Sequence, residues 1–188
     1  MIVEPYNAIL HLSQLIKHAD ISFTLENSKI YRLCQERLRV ERPSFKNLNH
    51  MIAQVISSLT ISLRRFSDFN VDINEYATNL VPFQKRHFML TSLSPIKSIE
   101  DEPAPLELNQ MTRDAFSYEN TLADCKMKEN DKQMACCLVY RGDVNHMEAK
   151  QAIAEFKKDR TINLVDWCPD GFLLGINKHG PGNNIIKT

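Results

Sequence analysis

Asp72 and Glu75 are two acids three positions apart, just ahead of an apolar run. That spacing makes a capping box. The aspartate caps a helix, and the glutamate at the third helical position bonds the cap's own N–H. The product is a carboxylate held in one place. Glu4, next to Pro5, suits the positive end of another helix. Asn27 suits a helix cap, and Asn49 reads as a plain surface amide. The thiols offer less. Cys34, Cys125, Cys136, Cys137 and Cys168 are odd in number and form no Cys-x-x-Cys pair, so they read as reduced structural residues. Adjacent Cys136 and Cys137 face opposite ways if they lie on a strand. Trp167 and Cys168 read as core. His11, His18, His50, His87, His146 and His179 have no metal-ligand spacing.

Other chemistry is absent from the pattern. No glycine-rich phosphate loop occurs; the nearest cluster, GFLLGINKHGPG, has the wrong spacing. Arg141-Gly142-Asp143 matches an integrin-binding tripeptide but is discounted in a chain that reads as cytosolic. Lys+Arg and Asp+Glu are both 23, which argues against a nucleic-acid binder and gives no polybasic reason for membrane attachment. The longest apolar runs, such as Met134 to Tyr140, are too short to span a bilayer. The N-terminal MIVEPYNAIL lacks the layout of a signal peptide, so the expected compartment is the cytoplasm.

The elements that would hold these residues follow from periodicity. Ile9, Leu10, Leu12, Leu15 and Ile16 give a helical face after Pro5, ending near His18. A short strand is expected from Ile21 to Leu25, then a helix burying Ile30, Tyr31, Cys34 and Leu38. Ser44 caps the longest helix, with Leu48, Met51, Ile52, Val55, Ile56, Leu59 and Leu63 recurring to about Arg65. Its broad apolar coverage predicts a central buried helix. Asp72 opens a short helix closed by Pro82. His87 to Leu93 reads as a strand, Ser94 to Glu107 as a loop and Leu108 to Ala115 as a helix. Met134 to Tyr140 reads as a doubly buried strand. Asn145 caps a helix with Met147, Ala152, Ile153 and Phe156 inward, and Thr161 to Trp167 reads as a strand.

Five stretches, in order, resemble tubulin: Val3 to Leu10, Glu41 to Asn49, Asn70 to Phe83, Met134 to Val144 and Arg160 to Phe172. Glu75 stands where the α chain has a glutamate and the β chain a lysine, so the resemblance is to α-tubulin. It implies an incomplete α/β tubulin-like fold, with a long central helix packed against an α/β sandwich. Residues 1–44 resemble the end of the GTPase domain, 45–66 the central helix and 67–188 the intermediate domain, without the last strand and C-terminal helices. Most of the nucleotide domain, with its phosphate loop, is expected to be missing.

The resemblance also assigns roles. Glu4 matches the acid that bonds the ribose of GTP, since a carboxylate suits a pair of hydroxyl donors. Asn27 and Asn49 match the asparagines that read guanine, because an amide both donates and accepts. Phe45 stands where the family stacks a tyrosine on the base; it keeps the π-face and loses the hydroxyl. Magnesium would need the missing domain. GTP binding by this chain alone is expected to be weak or absent. Glu75 matches the glutamate that acts on the nucleotide of an adjoining β-tubulin, orienting or deprotonating water, so any catalysis would be in trans. The loop Ser94 to Glu107 matches the lateral-contact segment. The implied partners are β-tubulin, other tubulin subunits and a chaperonin or tubulin-folding cofactors, with no nucleic acid and no membrane. The reading is a structural constituent of the microtubule cytoskeleton. Two alternatives stay open: a non-polymerising fragment that binds tubulin or a chaperone, and a truncated product with no role.

Overall fold

The computed structural model describes residues 2–67, 69–96, 107–128, 131–159, 162–167 and 171–180. Six α-helices and four short strands form among them: α1 (Glu4–His18), β1 (Ser22–Thr24), α2 (Asn27–Glu36), α3 (Phe45–Leu59), α4 (Ile73–Leu80), β2 (Phe88–Leu90), α5 (Leu108–Phe116), β3 (Cys136–Arg141), α6 (His146–Lys158) and β4 (Phe172–Asn177). No helix of the described residues is long and apolar enough to cross a membrane.

Helix α3 begins at Ser44, as its cap chemistry predicts. The Ser44 N–H and hydroxyl both donate to Asn47 Oδ1, at 2.9 and 2.7 Å. It ends at Leu59, earlier than the periodicity suggests. The Thr60 hydroxyl bonds back to Ile56 O at 2.7 Å, and a single 3₁₀ turn, Ile61–Leu63, completes the run. Its inward stripe is Leu48, Met51 and Val55, while Ile56 and Leu63 lie exposed. The helix is therefore buried along one face rather than all round.

Helix α2 packs on that stripe. Ile30, Leu33 and Cys34 join Leu48, Met51, Val55 and Leu122 in one core cluster. Leu33 takes the inward position expected of Tyr31, which is exposed. Three and four residues on from Ile30 the helix returns to the same side, so Leu33 and Cys34 share it and Tyr31 does not. The expected cap also moves by one residue. Glu26 has extended backbone angles and is the cap, and Asn27 is the first helical residue. The Glu26 carboxylate instead accepts from the Ser28 hydroxyl and from the Asp124 N–H.

Two parallel strand pairs complete the frame. Strands β1 and β2 pair from Ser22↔Phe88 to Thr24↔Leu90. Strands β3 and β4 pair from Cys136↔Phe172 to Arg141↔Asn177, with α6 as the crossover of a βαβ unit. Burial alternates along β3, so Leu138 and Tyr140 enter the cluster against α6 and Cys137 and Val139 enter the cluster around Tyr76. Helix α6 is capped by Asn145, whose Oδ1 accepts from Met147 N at 3.0 Å. Its buried face is Ala149, Ala152, Ile153 and Phe156; Met147, in the first turn, points to solvent.

The segment before Trp167 forms no strand among its described residues, only a bridge between Gln133 and Leu164. The strand that pairs with β3 is β4, whose apolar run FLLGIN begins five residues beyond Trp167. Trp167 is not core. It is 57% exposed, with its ring edge-on to exposed Phe83 at 5.6 Å. Cys168 and the loop positions 97–106 lie outside the described residues.

Helix α1 buries no residue at all. Ile9, Leu10, Leu12 and Ile16 are exposed and Leu15 is half-buried, so the face that periodicity marks as inward stays largely open to solvent.

Candidate functional site

Glu75 sits in the first turn of α4, three residues after its cap. The Asp72 N–H donates to Glu75 Oε2 at 3.0 Å, and the Ile73 N–H donates to Asp72 Oδ1 at 2.7 Å. The first of these bonds, with the Glu75 N–H on the Asp72 side chain, makes a capping box. The next residue, Tyr76, is buried and meets Phe23 of β1 edge-to-face at 6.1 Å. Val71 and Leu80 join it in the same cluster. The helix thus stands on its buried side and presents Glu75 outward, exposed and with its second carboxylate oxygen accepting no hydrogen bond among the described residues. A carboxylate with one oxygen fixed and the other free can hold a water in a set direction.

The four residues matched to guanosine contacts occupy helix starts. Glu4 opens α1, Asn27 opens α2 and Phe45 opens α3, with Asn49 one turn further on. All four are exposed, Phe45 at 77%. Packing of α2 on α3 ties Asn27 to Phe45 and Asn49 through the shared core. Nothing comparable ties Glu4, because α1 buries no residue. Among the described residues no hydrogen bond engages the side chains of Glu4, Asn27 or Asn49, which leaves two free amides and one free carboxylate.

Among the described residues no group of three His, Cys, Asp or Glu side chains could hold a metal ion. A cavity of about 290 Å³ lies elsewhere, between Phe156, Ile162, Leu164, Val165 and Phe172, and contains none of these positions.

Sequence reasoning did not single out Asn70 and Asn177, which fix the entry to α4. The Asn177 Nδ2 donates to Asn70 Oδ1 at 2.9 Å, and Asn70 Nδ2 donates to Arg65 O at 2.9 Å. The Asn177–Asn70 contact spans 107 positions, beyond the reach of any local pattern.

The helices and small parallel sheets, with the glutamate-bearing α4 beside them, are those of an α/β tubulin-type fold. The family description "Tubulin C-terminal domain" matches residues 84–185. The chain belongs to the tubulin family. It is 48% identical over 192 aligned residues to the tubulin alpha-1B chain of Physarum polycephalum, and equally to that organism's tubulin alpha-2B chain. The similarity covers 100% of this chain and 42% of the length of each of those relatives.

Proposed function

We propose that this chain is an α-type cytoskeletal subunit element whose working group is Glu75, presented in trans to the nucleotide of an adjoining β-tubulin. The observation that carries the reading is the capping box: Asp72 N–H to Glu75 Oε2 at 3.0 Å on an otherwise buried helix base. The box and the catalytic role are compatible. One oxygen fixes the carboxylate, and the other accepts a hydrogen bond from water and draws its proton toward the side chain as attack begins. The α-type similarity over the whole chain supports β-tubulin as the partner and the cytoplasmic cytoskeleton as the location.

Glu4, Asn27, Phe45 and Asn49 would hold the guanosine end of a nucleotide. The free amides fit a purine edge, and the 77% exposed Phe45 ring fits its face. Phosphate and metal contacts supply much of nucleotide affinity through charge. Weak binding by this chain alone follows. A chaperonin or tubulin-folding cofactor is a further expected partner, because exposed apolar helices such as α1 are what folding machinery retains.

The test is co-sedimentation of the purified, monodisperse chain with αβ-tubulin during GTP-driven assembly. Pelleting that saturates with polymer and falls on Glu75→Lys supports the reading. A folded chain that stays in the supernatant at every polymer concentration rejects it.

A further inference from the structure

The turn after α3 brings two arginines onto one serine. Arg64 Nη2 donates to Ser57 Oγ at 3.0 Å, and Arg141 Nη1 donates to the same oxygen at 3.3 Å. Arg64 Nη2 also reaches Ser57 O at 2.6 Å and Thr60 Oγ1 at 3.5 Å. Arg141 reaches Ser58 Oγ at 3.2 Å, His179 O at 3.3 Å and Gly180 O at 3.1 Å. Every one of these acceptors is neutral. Among the described residues no carboxylate pairs with either guanidinium.

The charges do not balance. The C-terminal end of α3 offers about half a negative charge, against two full positive ones. Burial, and then the Arg64 charge beside it, hold the Arg141 guanidinium below its ordinary value. Two like charges gathered at a partly buried place cost free energy that an anion would recover.

Donors are also left over. Arg64 Nε and Nη1 meet no acceptor among the described residues, and either N–H can give an oxyanion a charge-assisted hydrogen bond. The Ser57 oxygen accepts twice while its own O–H has no acceptor among the described residues. Arg141 is clamped by its carbonyls and hydroxyls, so it is a fixed charge rather than a mobile one.

We propose that Arg64, Arg141 and Ser57 form a binding site for a phosphate-class oxyanion, separate from the guanosine-type residues. Arg64 supplies a free guanidinium N–H, Ser57 a hydroxyl donor, and Arg141 the second positive charge. The ligand chemistry is shared by free phosphate and by a phosphate monoester.

The full chain is titrated with inorganic phosphate, and separately with glycerol phosphate, in chloride at constant ionic strength. Heat release and the arginine Nε–H NMR signals are followed. Saturable binding is expected, with the Arg64 Nε–H signal shifting. Arg64→Gln should weaken it by about tenfold, the scale of one charge-assisted hydrogen bond. Ser57→Ala should weaken it by less. Arg64 is exposed, so its variant should keep the parent's circular dichroism and cooperative unfolding. Tighter binding of the monoester assigns the site to an esterified phosphate, and the reverse assigns it to the free ion. Saturation by neither, or saturation unchanged in Arg64→Gln, overturns the proposal. Neither probe contains guanosine, so the outcome is independent of the nucleotide reading.

Discussion

Asn177 at the end of β4 donates from Nδ2 to Asn70 Oδ1 at 2.9 Å, two residues before the cap of α4. Arg65 O accepts from both asparagines, and Asn177 Oδ1 accepts from His179 N at 3.0 Å. Asn177 is 1% exposed, so its amide has no water to fall back on. Asn177→Ala would remove the partner of Asn70 Oδ1 and of the His179 N–H. The expected loss is about 2 kcal/mol, read from urea unfolding. A variant as stable as the parent would show that this network carries no weight.

Gly175 lies against Val71 on the same side of the site. A Cβ placed on Gly175 would stand 2.8 Å from Val71 Cγ2, closer than carbon atoms approach. Val71 is buried and β-branched, so its methyl has few other rotamers to take. Gly175→Ala should cost about 1–3 kcal/mol through overpacking. Pairing it with Val71→Ala should recover part of that cost, because the clashing methyl is gone. Thermal unfolding of the two single variants and the double variant checks both statements.

Where the chain's own spacing carried the signal, it was legible. Ser44, Asp72 and Asn145 start their helices as their side chains predict. Periodicity found Leu48, Met51 and Val55 of α3 and Ala152, Ile153 and Phe156 of α6, though Ile56 and Met147, expected inward, are exposed. The misses have physical causes. Trp167 looks like core by type, yet no described element covers it except exposed Phe83. Strand β4 is an apolar run whose register is set by pairing with β3, so a reading that stressed its glycines passed over it. The Asn70–Asn177 contact and the Arg64–Arg141 pair join distant parts of the chain, and nothing local in the sequence announces them.

Stability should fall in alkali. Burial, then the neighbouring Cys136 and Glu75 charges, push the Cys137 thiol from 9.0 up to about 12. Burial raises Tyr76 and Tyr140 as well. Each folded-state group keeps its proton at pH values where the unfolded chain gives it up. The unfolded state then binds fewer protons, so unfolding becomes easier as pH rises. For Cys137 the contribution is whole below pH 9 and is lost between 9 and about 12. Urea midpoints at pH 7.5, 9 and 10.5 should decline only over the last step. A flat profile would mean these groups are open to water.

Helix α1 should exchange its amide hydrogens far faster than α3. Both have fifteen residues, a length at which an isolated helix is marginal in water. Helix α3 buries Leu48, Met51 and Val55; α1 buries nothing. Local opening free energy tracks that difference. Hydrogen exchange by mass spectrometry should find Glu4–His18 near the unprotected rate and Phe45–Leu59 protected by orders of magnitude. Equal protection of the two helices would require a packing partner for α1.

Glu75→Gln separates the cap from the chemistry. Glutamine can also serve at the third position of a capping box, because its amide oxygen can accept the Asp72 N–H. The fold and the incorporation of the chain into polymer should therefore survive, with unfolding shifted by less than about 1 kcal/mol. A neutral amide cannot take a proton from water. Hydrolysis on the adjoining subunit should fall by about 10²–10⁴-fold, the usual contribution of a general base. Phosphate release per unit of assembled polymer, measured for the parent, Glu75→Gln and Glu75→Ala, distinguishes the cases. Equal release from the parent and Glu75→Gln, with a loss of stability only in Glu75→Ala, would leave the side chain as a helix cap and nothing more.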